Sequence, residues 1–362
     1  MMNHTILYKR DGFYAGFPVL IHLPDGRLTV GVPVSPFHDH YGIGDWVVLM
    51  SADDGETWTE TDDPMLPHNW PGTSPREKYD RFAAVMPDGS YLCAGSVGWE
   101  VWAAERRADA AAQGLTVHSH PADNDAILVG GRKLFVQRST DEGQTWKRQE
   151  WVAPGVSHIT AFPRSARLAD STILVPVYGS DPGAPRRTYV WRSADRGVTW
   201  RLLPMSAYVA GVDGNETALL EVSPGCVLAH TRTEGSYLLE TWSDDGGCTW
   251  SQPLCTPMWG YPPHLLKLRD GRVLCSFGYR RDPMGVRAVL SHDGGKTWDI
   301  NNIIVLRDDG GIPSEFRRDA ESGGADLGYP ISTQLSDGSI LTIYYITLAD
   351  GVTHSAATRW TV

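Results

Sequence analysis

Ser291-His292-Asp293-Gly294-Gly295-Lys296-Thr297-Trp298 is one of five copies of a single pattern, Ser-x-Asp-x-Gly-x-Thr-Trp. The others run over Ser51–Trp58, Ser139–Trp146, Ser193–Trp200 and Ser243–Trp250, with starts 88, 54, 50 and 48 residues apart. Such recurrence marks a repeat architecture. Within one copy, Ser and Asp side chains bond backbone amides a few residues on and close a tight turn. Gly supplies the left-handed residue that the turn needs. Thr-Trp opens the next strand with an indole large enough to wedge between neighbouring sheets.

A second element precedes each copy: an apolar run, Leu-x-Asp-Gly or a variant, then another apolar run. It occurs at Leu23–Gly26, Met86–Gly89, Leu168–Ser171, Val222–Gly225, Leu268–Gly271 and Leu335–Gly338. Asp-Gly between apolar strands is a strong hairpin signal. Six hairpins against five copies predict six four-stranded units, at roughly 13–75, 76–155, 156–210, 211–260, 261–320 and 321–362. The last unit lacks an outer strand, and Thr5–Lys9 is expected to supply it from the other end of the chain, which removes an open edge.

The eight-residue pattern is identified as the Asp box, and the chain resembles the sialidase-like β-propellers that carry it. The resemblance implies an all-β, six-bladed β-propeller, with residues 1–362 as one domain. The box is structural and leaves the activity open.

Composition bounds the function. Of 362 residues 41% are hydrophobic, and 38 Gly and 24 Pro suit many short strands joined by turns. A net charge of −11 argues against a nucleic-acid partner, which would demand a basic face. No stretch has the length of a membrane span. No apolar run follows a basic segment in Met1–Gly12, so the sequence predicts a cytoplasmic protein, or a secreted one if a signal has been removed. Cys93 and Cys275 sit in apolar strands and are expected as buried thiols, and no disulfide is expected between Cys248 and Cys255. No cofactor is implied, and nothing in the sequence sets the oligomeric state.

One insertion, at about 98–130, accounts for the longest gap between boxes. Glu100–Gln113 is Ala- and Arg-rich, predicts a helix, and is stopped by Gly114. It stands as either a rim of the pocket or a surface decoration. His118 and His120, near Asp123 and Asp125, form too weak a pattern to assign a metal.

Counting back eight residues from the hairpin position of each repeat gives Phe17, Asp80, Phe162, Glu216, Pro262 and Tyr329. These converge at the axis if the innermost strands line it. Two residues further on, on the same strand face, lie Arg164 and His264. Gly214-Asn215-Glu216 with Arg232 sixteen residues later resembles the sialidase segment that carries a Glu and one arginine of the carboxylate-binding triad. Gly328-Tyr329 resembles the strand with the nucleophilic tyrosine. A phenol is a poor nucleophile at neutral pH, and a carboxylate that takes its proton activates it.

The resemblance also implies an acid on the loop Ser35–Asp45, where Asp39, flanked by His38 and His40, takes that role and Asp45 is the fallback. The family's first arginine lies in a Phe/Tyr-Arg-Ile-Pro segment, whereas this chain has Ala15-Gly16-Phe17-Pro18. The third falls near Arg280 and Arg281, of which Arg281 is taken as the clamp. Arg81 and Arg164 would rebuild part of a carboxylate site, and Trp99, Trp102, Trp70 and Trp259 are candidate sugar platforms. The resulting expectation is an exo-acting glycoside hydrolase on a terminal acidic or deoxy sugar, with a carbohydrate substrate as partner and neither nucleic acid nor membrane. A uronate lyase using Tyr329, His264 and Arg164, and a non-catalytic glycan- or protein-binding propeller, remain as alternatives.

Overall fold

The computed structural model describes residues 2–23, 25–37, 44–62, 81–153, 156, 158–180, 184–205, 213–311 and 326–362. The fold is all-β. Among the described residues, six antiparallel sheets each carry a path of four strands, and a smaller sheet of three strands belongs to the insertion. The first sheet shows the plan: Val19–His22, Leu28–Val34, Asp45–Ser51 and Thr59–Thr61 pair in sequence order. Each hairpin element lies between the first two strands of its sheet, and each box between the last two. In the sixth sheet the N-terminal strand Asn3–Tyr8 pairs with Thr353–Trp360, so the two ends of the chain are joined as expected.

Local chemistry explains the repetition. Leu23 donates its N–H to the Arg27 carbonyl (2.9 Å) and Gly26 to the Leu23 carbonyl (3.0 Å), closing a three-residue loop with Gly26 at φ +88°. Asp25 Oδ1 accepts the Arg27 amide at 3.1 Å, and Asp88, Asp170, Asp270 and Asp337 repeat that bond. In the fourth sheet Pro224-Gly225 replaces the Asp, and Glu221 Oε1 accepts the Gly225 amide instead (2.9 Å).

The boxes are equally uniform. In Ser139–Trp146, Ser139 Oγ accepts the Gly143 amide (2.8 Å), and Asp141 accepts the Thr145 amide (2.8 Å) and its hydroxyl (2.5 Å). Glu142 and Gly143 both lie at positive φ, +56° and +86°, which restricts the second position to Gly in practice. The indoles of Trp58, Trp146 and Trp200 each return to the Gly carbonyl of their own box, at 3.1, 3.0 and 3.1 Å. Trp298 instead reaches the preceding sheet and donates to Glu240 Oε2 (3.0 Å).

These bonds carry a pH dependence. The Thr297 and Thr145 hydroxyls and amides hold the Asp293 and Asp141 carboxyls at about 2. Asp245 also lies at about 2, its slight burial being outweighed by the same bonds from Thr249. A depressed folded pKa gives stability that is present above the unfolded carboxylate value, roughly 4, and is lost as pH falls through the folded one. Melting temperature is therefore expected to fall steeply between about pH 4 and pH 2, and an Asp141→Asn/Asp245→Asn/Asp293→Asn protein should show a flatter profile. An unchanged slope in that protein would remove the boxes as its source.

Apolar clusters join neighbouring sheets. Val30, Val32, Ile331 and Ile343 belong to one cluster that ties the first sheet to the sixth. Others join second to third, third to fourth, fourth to fifth and fifth to sixth. All six sheets contribute to the lining of one cavity of about 560 Å³. All five cysteines are free thiols, with Cys93 and Cys275 buried.

The insertion departs from expectation. Glu100–Ala103 is a strand, not the start of a helix, because Val101 and Trp102 pair with Leu128 and Ile127. Only Arg107–Ala112 is α-helical, and Gly114 follows it at φ +67°. Ala110 packs on Ile127 and Val129, so the insertion has a small core of its own.

Candidate active site

Two innermost strands begin with a bulge. Pairing slips between Gly214 and Thr217 in the fourth sheet, and between Gly328 and Ile331 in the sixth. A bulge re-aims the side chain within it, and these two contain Glu216 and Tyr329. The side chains meet: the Tyr329 hydroxyl donates to Glu216 Oε1. Arg232, on the strand beside Glu216, donates from Nη1 to Glu216 Oε2 at 2.7 Å.

The backbone around the tyrosine is strained and held. Tyr329 lies at φ +52°, in the left-handed region that costs a non-glycine residue roughly 1–3 kcal/mol. Phe17, its counterpart in the first sheet, lies at φ +53°, and its ring meets the Tyr329 ring edge-on at 4.6 Å. From the third sheet, Arg164 Nη2 donates to the carbonyls of Tyr329 (3.2 Å) and Pro330 (3.1 Å).

Charge follows from burial. Only 6% of Glu216 is exposed, which pushes its carboxyl up, but the Arg232 charge and the bonds from Tyr329 and Arg232 outweigh this and leave it lowered. Burial first, and then the Glu216 charge, push the Tyr329 phenol well above its usual range. The resting pair is therefore a neutral phenol against an ionised carboxylate. The carboxylate accepts the phenolic hydrogen bond, and at rest the proton stays on the tyrosine.

Two arginines flank the pair. The Tyr261 ring lies under Arg232 at 4.2 Å and Arg280 at 5.0 Å. Arg280 is fixed by bonds from Nε to the Leu327 carbonyl (3.0 Å) and from Nη2 to the Tyr345 hydroxyl (3.4 Å). Arg281, the expected clamp, is instead exposed and lies over the Trp259 ring at 3.9 Å. The correction is a matter of strand ends. Regular alternation stops at Tyr279, so spacing does not say which of the two neighbouring arginines turns inward.

A buried carboxylate beside the site has no forerunner in the sequence analysis. Asp326 accepts the Tyr345 hydroxyl at 2.8 Å and the Tyr14 hydroxyl at 3.2 Å. Tyr14 also explains Gly16, because a Cβ at Gly16 would lie 2.6 Å from the Tyr14 ring. The space beside Gly16 is thus filled by the Tyr14 ring.

Several expected site residues lie elsewhere. Arg81, Arg164 and His264 line the cavity, and Arg164 bonds the Tyr329 backbone carbonyl rather than its hydroxyl. Trp99 is 8% exposed and stacks on His158 at 5.3 Å with His118 edge-on at 4.9 Å, so its ring faces are not open to a sugar. Asp45 is exposed at the start of its strand. His38, Asp39, Asp80 and Trp70 lie outside the described residues. Among the described residues no group of three His, Cys, Asp or Glu is placed to hold a metal, His118 and His120 included.

Residues 115–343 match the family model of the BNR repeat-like domain. Among solved structures, a protein of unknown function from Dyadobacter fermentans is 27% identical, with a TM-score of 0.76, over 100% of this chain and 99% of that one. The Hadza microbial sialidase Hz136 is 18% identical, with a TM-score of 0.62, over 94% of this chain and 65% of its own. The intramolecular trans-sialidase of Ruminococcus gnavus is 14% identical, with a TM-score of 0.61, over 96% and 94% of the two chains. These last likenesses are of fold. No curated protein matches the chain.

Proposed function

The chain belongs to the BNR repeat-like domain family, with a sialidase-like fold, and on that premise we propose that it is a glycoside hydrolase working through Tyr329. The six sheets are blades of one six-bladed propeller, and its substrate is a carbohydrate ending in an acidic sugar. The observation that carries the reading is the relay of Arg232, Glu216 and Tyr329, assembled from the fourth and sixth sheets with Glu216 and Tyr329 each in a bulge. It supplies a nucleophile and its base within one hydrogen bond.

In this mechanism Glu216 takes the phenolic proton as the Tyr329 oxygen bonds to the anomeric carbon. The bond from that carbon to the leaving oxygen breaks, and an acid protonates the departing group. Asp39 takes that role on the strength of the sequence resemblance. Water then attacks the glycosyl-tyrosine, with the same groups acting in reverse, and two displacements retain configuration. Arg232 and Arg280 would receive the sugar carboxylate through charge-assisted bonds. Elimination by a lyase would need His264 and Arg164 beside the Tyr329 hydroxyl, whereas Arg164 bonds the Tyr329 carbonyl and His264 the Ser332 amide.

The test is a fluorinated glycosyl donor of an acidic sugar, followed by peptide mass analysis. An adduct on Tyr329 is expected. Turnover of glycosides with no adduct on Tyr329, or with an unsaturated product, would overturn the assignment. Ordinary sialosides are expected to be poor substrates, because a third guanidinium is missing at Gly16 and one such contact is worth about 1.5–3 kcal/mol. Gly16→Arg alone should not restore the activity, since its Cβ meets the Tyr14 ring. Brisk release from a fluorogenic sialoside by the parent protein would show that another group fills that place.

A further inference from the structure

The cavity of about 560 Å³ has a composition unlike a packed core. Arg81 and Arg164, 3% and 5% exposed, both line it, as does His264. Arginine side chains bring positive charge to such a lining. His264 Nδ1 accepts the Ser332 amide at 3.2 Å, so the neutral ring carries its proton on Nε2 and is a donor there. Burial, and then the Arg164 charge, hold this imidazole well below its usual pKa, which keeps it neutral. The exposed His22 and Arg167 belong to the same lining, at the hairpin ends of their strands. Among the described residues the lining includes three arginines and two histidines but neither Asp nor Glu. The rest is largely aliphatic, which weakens dielectric screening and strengthens charge recognition inside. The volume lies in the range that holds small ligands.

We propose that this channel cavity binds a small tetrahedral oxyanion of the phosphate or sulfate class, held by Arg164, Arg81 and His264 and admitted from the hairpin face. Arginine forks match tetrahedral oxyanions with paired, charge-assisted bonds. The anion is either free or the head of a small phosphate ester, for which the cavity has room. The site is separate from the glycosidic one, and its test needs no glycoside.

The experiment is thermal melting and isothermal titration with inorganic phosphate, against sodium chloride at equal ionic strength. Saturating phosphate is expected to raise Tm by about 3 °C beyond the chloride control. Arg81→Gln and His264→Gln should each weaken phosphate binding at least about tenfold, and Arg164→Gln should abolish it. Arg164 also holds the Tyr329 backbone, so if Arg164→Gln does not fold, the other two variants carry the test. A hexose phosphate that binds more tightly than phosphate identifies an ester as ligand, and equal affinity identifies the free ion. A shift matched by chloride, or phosphate binding unchanged in the folded variants, overturns the proposal.

Discussion

Replacing Tyr329 with Phe is expected to lower turnover by roughly 10⁴-fold while the protein stays folded. The substitution removes one oxygen. The ring keeps its edge contact with Phe17 and its neighbours Phe162 and Tyr345, at 6.1 and 5.7 Å. What is lost is one hydrogen bond to an ionised carboxylate, worth about 1.5–3 kcal/mol, and Glu216 keeps its bond to Arg232. Chemistry should suffer far more, because no other described hydroxyl bonds Glu216. Glu216→Gln should also cost orders of magnitude, since the amide has no site for the phenolic proton. Combining the two should cost little more than either, as residues of one relay fail together. The measurements are kcat on the best glycoside found and melting of each variant. A Tyr329→Phe protein that turns over at close to the parental rate would remove tyrosine as nucleophile and leave Glu216 or Asp39 to act through water.

The two halves of this relay were legible because repetition turns sequence into geometry. Glu216 and Tyr329 hold the same place in two repeats, so a shared strand register brings them to one axis without any knowledge of side-chain direction. The N-terminal strand was legible for a related reason: a unit lacking its outer strand leaves an edge that Asn3–Tyr8 covers. Where repetition stops, so does legibility. Arg280 and Arg281 stand beyond the last residue of a strand, and only the fold shows that Arg280 meets Tyr345 while Arg281 meets Trp259. Asp326 and Tyr14 come together across 312 residues, with no spacing to signal it. The helix expected from Glu100 onward follows propensity that tertiary pairing overrides for Val101 and Trp102. Register places Arg164 on the inner strand face, but the carbonyls of Tyr329 and Pro330 that it bonds are backbone groups, which no side-chain pattern reveals.

The second large effect is on stability. Arg232→Met should destabilise the fold by about 3 kcal/mol at neutral pH, because it leaves the buried Glu216 charge without its ion-pair partner. The sign of the pH dependence follows from the same pair. With Arg232 present the folded pKa of Glu216 is lowered, so the pair contributes stability above the unfolded value and loses it as pH falls through the folded one. Without Arg232, burial dominates and raises that pKa. The variant is then most stable below the unfolded value, where Glu216 is protonated, and weakens as pH rises through the raised pKa. The gap between parent and variant should therefore be wide at pH 7 and narrow toward pH 4. Arg232→Met/Glu216→Gln should recover most of the loss at pH 7, since it removes the stranded charge along with its partner. Chemical denaturation of the four proteins at both pH values reads this directly. A gap independent of pH, or a double variant no more stable than Arg232→Met, would mean that Arg232 supports the fold through its packing on Tyr261 and not through the charge it neutralises.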